Sequence, residues 1–168
     1  MNRSLSLWQV GGLTFSAILG TLLHFIYDWT NLSFLMPISA INESTWEHMK
    51  LLFFPTFIYA IVQSVYFLKE YPQFWRIKVI GISAGLILIP VLFYTYNGAL
   101  GTSPDWFNIL SFFIALGGGY FVEYVLFKHT KRNSKFEAIS IIWLFVITIL
   151  FIVFTFNPLS LPIFISPV

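Results

Sequence analysis

Cysteine is absent from the chain. That excludes disulfides, zinc fingers, thiolate catalysis, iron–sulfur ligation and covalent haem attachment. Charge is nearly as scarce. Asp, Glu, Lys and Arg make up 10% of the 168 residues, where a soluble domain carries about 25%. So little charge cannot solvate a globule of this size. Nine basic residues and a net charge of +2 leave no basic stripe of the kind that binds nucleic acid. Polar breaks are also rare, and what remains is apolar: 58% hydrophobic residues and a mean hydropathy of +0.82.

The apolar residues fall into long runs. A helix needs about 20 residues to cross a bilayer. Spans are predicted over about 5–27, 44–68, 79–96, 106–127 and 136–156. The expected fold is all-α: one integral membrane bundle of five transmembrane helices forming a single domain over residues 1–168. The lipid bilayer is its expected partner. A protein partner or a homo-oligomer is compatible with this reading. The first run follows Arg3, as a signal peptide would. It is too long for a signal core, however, and ends at His24-Phe25-Ile26-Tyr27-Asp28-Trp29, a poor cleavage context. It is read as a retained helix.

Basic residues lie on alternate connections. Arg3, the 69–78 stretch and the 128–135 stretch share one side. The other connections carry Asp28, Glu43, Glu47 and Asp105, with Lys50 as their one basic residue. The positive-inside rule then puts the N-terminus in the cytoplasm and the C-terminus outside. The Phe, Ile, Leu and Lys usage suits a bacterial cell membrane. No internal repeat divides the chain, as one does in many transporters.

Gly12, Ser16, Gly20, His24 and Asp28 recur every four residues in the first span. Small residues at this spacing allow close helix approach, and the stripe turns polar at its end. The second span opens with Ser44-Thr45-Trp46-Glu47, a capping box in which Glu47 reaches back to the Ser44 amide. His48, Thr56, Tyr59, Gln63 and Tyr66 continue as a broken polar stripe. Pro55 and Pro90 are expected to kink their helices.

This topology gathers His24, Asp28, Glu43, Glu47 and His48 at one membrane face. Intramembrane ionisable residues face inward or pair. Three readings compete. In the structural one, Glu47 caps its helix, Lys50 pairs with Asp28 or Glu43, and the histidines bond to backbone. In the second, these residues hold a divalent metal such as zinc. Its bound water would then serve hydrolysis at the membrane surface, with Glu43 or Glu47 as fourth ligand or general base. In the third, Glu123 and the polar stripe move a proton or small solute. The bland alternative for Glu123 is a snorkelling carboxylate near Lys128 or Lys131. Bis-histidine haem at His24 and His48 is a minor option, since few cations lie nearby for propionates.

The run Asn42-Glu43-Ser44-Thr45-Trp46-Glu47-His48-Met49-Lys50, preceded by Leu22-Leu23-His24-Phe25-Ile26-Tyr27, resembles the signature of an uncharacterised family of small polytopic bacterial membrane proteins. The resemblance covers about the first third of the chain, together with its size and topology. It implies a membrane location and a bundle of this size, and it carries no reaction.

Overall fold

The computed structural model describes residues 2–101, 104–131 and 135–166, without the side chains at 2, 3 and 105. Arg3, Asp105 and Arg132, which enter the charge asymmetry, therefore contribute no side-chain observation. Ser103, Asn133 and Ser134 lie outside the described residues. The elements are α1 (Asn2–Thr30), α2 (Thr45–Phe67), α3 (Phe74–Leu100), α4 (Asp105–His129) and α5 (Glu137–Phe156). Short 3₁₀ turns occupy Ser33–Leu35 and Pro162–Phe164. All five helices are long and apolar enough to cross a membrane, and no strand occurs among the described residues.

The helix ends follow local chemistry, with two departures from expectation. Ser44 caps α2, its hydroxyl accepting from the Glu47 amide at 3.4 Å. Glu47 does not complete the capping box. The Ser44 amide bonds to Asn42 Oδ1 at 2.9 Å instead, and Glu47 reaches the Ile41 amide at 3.0 Å. The second departure is α3, which starts at Phe74 and takes up much of the predicted basic connection. The reason is remote in sequence. Glu137, at the start of α5, accepts from the Trp75 and Arg76 amides at 2.8 and 3.1 Å. A carboxylate there satisfies orphan amides and complements the helix dipole. α3 ends at Gly101, whose φ of 76° makes it a left-handed C-cap.

α1 to α4 pack through their small residues. Gly81 and Gly119 lie backbone to backbone: a Cβ on Gly119 would meet the Gly81 carbonyl oxygen at 2.8 Å. In α1, Gly12 faces the Tyr59 and Tyr120 rings, and the Ser16 hydroxyl bonds to Tyr120 at 2.9 Å. Gly20 faces the Leu51 carbonyl, which Pro55 leaves without its helical donor. α2 nonetheless runs unbroken through Pro55, as α3 does through Pro90. α5 lies against α3 and α2. The C-terminal 3₁₀ turn folds over the start of α2, with Phe164 4.8 Å from Trp46.

These contacts predict opposite outcomes for two neighbouring glycines. Gly119→Val forces a side chain onto fixed backbone and should cost about 1–3 kcal/mol. Gly117→Ala meets nothing within 4 Å and should raise stability by about 0.5–1 kcal/mol, because glycine loses more backbone freedom than alanine on entering a helix. Unfolding of both variants in detergent micelles makes the comparison.

Large apolar side chains cover the outside: Val65, Phe34, Phe121 and Ile139 are all more than 60% exposed. The interior holds ion pairs. Apolar outside with charge inside suits a lipid surround rather than water.

Candidate metal centre

At the end of the bundle where α1 finishes and α2 begins, His24, Glu43 and His48 converge. One ligand atom from each lies within 4.8 Å of the others. α1 delivers His24 at the end of its small-residue seam. The Ser44 cap starts α2 so that His48 lies beside it, the two rings 5.3 Å apart. Glu43 sits just before the cap. Its carboxylate is 3.4 Å from His48 Nε2 and 4.0 Å from His24 Nε2. The imidazoles are largely covered and the Glu43 side chain is 65% exposed, so the group opens outward.

His48 Nδ1 lies 2.9 Å from the Ser44 carbonyl. A carbonyl can only accept. The bond therefore puts a ring proton on Nδ1 and directs Nε2 toward Glu43. This is the outer-shell arrangement that orients metal-binding histidines. His24 Nδ1 is buried without a hydrogen-bond partner. Two neutral imidazoles and one carboxylate would give a donor set of charge −1. Two ligands of a tetrahedral zinc ion stand about 3.3 Å apart. The 3.4 Å His48–Glu43 edge already has that length, and small side-chain rotations would close the others.

Two predicted members do not join this group. Asp28 is exposed and outside the cluster of ligand atoms. Each four-residue step advances about 40° around a helix, so by Asp28 the stripe has turned away from α2. Glu47 is 2% exposed and committed to Lys50, 2.6 Å away. That also corrects the expected pairing of Lys50 with Asp28 or Glu43. Lys50 Nζ further donates to the Met36 carbonyl and to Thr155 Oγ1, both at 2.8 Å. The Glu47–Lys50 pair thus ties the loop before α2 to α5.

The remaining polar predictions lie toward the opposite end. Glu123 does not snorkel toward Lys128 or Lys131. It is buried and paired with Lys78 at 2.6 Å. Tyr59 donates to the Trp8 carbonyl at 2.7 Å. Gln63 is fully buried, and neither of its amide atoms has a partner. Lys78 and Glu137 are the polar residues that sequence reasoning missed as structural partners, and Lys50 was given the wrong carboxylate. The i, i+3 spacing of Glu47 and Lys50 was a readable signal. The other two pairings had none, because each joins separate helices.

The architecture is thus a small all-α bundle of five apolar helices with a histidine–carboxylate group at one end. A model of a family of unknown function, DUF6512, matches residues 1–168, and the chain belongs to that family. No curated protein and no solved structure matches the chain.

Proposed function

We propose that this is a multi-pass protein of a bacterial cell membrane that binds a divalent ion of the zinc class through His24, Glu43 and His48. The observation that carries the reading is the Nδ1 bond of His48 to the Ser44 carbonyl. It turns Nε2 toward a carboxylate and a second imidazole. Three protein donors leave one tetrahedral position open, as catalytic rather than structural zinc sites do. The chemistry such a centre supplies is activation of a bound water for hydrolysis at the membrane surface.

The orientation belongs to the same proposal: N-terminus in the cytoplasm, C-terminus and metal centre outside. Lys69, Arg76, Lys128, Lys131 and Lys135 flank the end where α1 begins, which supports it. Lys50, at the other end, is buried in an ion pair.

Metal analysis tests the centre. Protein purified from membranes should carry about one equivalent of ion, and His48→Ala should lose it, by more than the 10–100-fold typical of outer-shell changes. Protons compete for the same nitrogens, so retention should fall on acidification. Absence of stoichiometric metal in the wild type, after loading with zinc, rejects the proposal.

A further inference from the structure

A second polar centre lies inside the bundle, near the end where α1 begins. Each of the four packed helices α1 to α4 supplies one residue: Gln9, Gln63, Lys78 and Glu123. From the helix bounds, all four sit about 6–11 Å from the same end at 1.5 Å per residue. The layer is closed on both sides. Leu5, Phe67, Phe74, Ile77 and Phe127 form one apolar cluster toward the near end. Leu52, Ile82, Leu116 and their neighbours form the other. On every one of the four helices the polar residue falls between members of these two layers or residues packed against them.

The layer has more hydrogen-bonding capacity than its own residues use. Lys78 Nζ bonds to Glu123 Oε2, and otherwise faces the rings of Tyr59, Phe74 and Tyr120 at 6.0, 5.7 and 5.4 Å. Gln9 lies beside Glu123, yet both its amide atoms lack a well-formed bond, as do those of Gln63. Buried polar groups left this way are rare and call for water or a ligand. A cavity of about 10 Å³, lined by Glu123, Thr56 and Tyr120 among others, is the size of one water. From it the Tyr120 hydroxyl leads on to Ser16. The carboxylate thus has hydroxyl groups near it and not apolar atoms alone.

We propose that Glu123 is a proton-exchange site in the core of the bundle. A hydronium in the cavity gives up one proton: its O–H bond breaks, an O–H bond forms on the Glu123 carboxylate, and water remains. The product is a neutral acid beside the Lys78 ammonium. Deprotonation restores the ion pair. Among the described residues, the titratable groups facing Glu123 are Lys78 from α3, Tyr59 from α2 and Tyr120 from α4. α1 contributes the neutral Gln9. Lys78 favours the carboxylate and the apolar layers favour the acid, so the two forms are opposed within one site.

Difference infrared spectra of the protein in lipid vesicles test this. Between about pH 9 and about pH 5, the carbonyl band of a buried carboxylic acid should grow on acidification. Glu123→Gln should abolish the change, and Glu43→Gln should leave it in place. If Glu123→Gln does not accumulate, Lys78→Met/Glu123→Gln leaves no unpaired charge and provides the same carboxyl-free reference. A spectrum with no Glu123-dependent band, or with such a band unchanged across the pH range, overturns the proposal and makes the layer a fixed structural pair.

Discussion

Lys78→Met is expected to destabilise the bundle by about 3–5 kcal/mol, the cost of leaving one partner of a buried pair uncompensated. Lys78 and Glu123 are 1% and 2% exposed, so solvent cannot take over the lost interaction. Gln9 lies beside the remaining carboxylate but carries no charge to compensate it. Glu123→Gln should cost a similar amount, for it leaves a buried ammonium among aromatic rings. The double variant Lys78→Met/Glu123→Gln should recover most of the loss, because the desolvation penalty of both charges disappears with them. Unfolding of the four proteins in the same detergent gives the coupling energy directly. Single variants that each lose less than about 1 kcal/mol would mean the pair is worth no more than an exposed one.

Lys50→Met is expected to show two effects where Lys78→Met shows one. The first is again a loss of about 3–5 kcal/mol, since Glu47 and Lys50 are 2% and 0% exposed. The second follows from what the pair holds. Lys50 fastens the Met36 carbonyl, and Glu47 fastens the Ile41 amide. Both anchors lie in the loop that carries Glu43 toward the histidines. On the proposed metal reading, freeing that loop should weaken ion binding by about 10–100-fold, as loss of an outer-shell partner does, although neither residue would touch the ion. Thr155→Val removes the bond from Lys50 and the one that Thr155 donates to the Phe151 carbonyl within its own helix. It should cost about 1 kcal/mol and leave metal affinity unchanged. Zinc titration of the refolded variants separates the two effects. Unaltered affinity in Lys50→Met would show that Glu43 is placed without the pair.

Several features of the site were legible because they are local or follow from topology. The Ser44 cap depends on neighbouring residues. The meeting of His24 with His48 follows from two consecutive helices joined at one end. The choice among the carboxylates was not legible. Asp28, Glu43 and Glu47 all reach the correct level along the bundle. Only the rotation of α1 and the course of the 31–44 loop decide that Glu43 turns to the imidazoles, Glu47 to Lys50 and Asp28 outward.

The buried layer was harder to read for the same reason. Lys78 looked like one more basic residue in a connection, and Glu123 like a carboxylate near a helix end. The extension of α3 through Lys78 depends on Glu137, 62 positions from the Trp75 amide it accepts from. Segment length and apolar content are sums over neighbouring residues, and they determined that the chain makes five helices able to span a membrane. Which face of each helix turns inward is another matter. These helices are apolar on nearly every side, so hydrophobic pattern alone does not fix their rotation. Glycine contacts and buried ion pairs between helices fix it, and those exist only once the bundle has assembled.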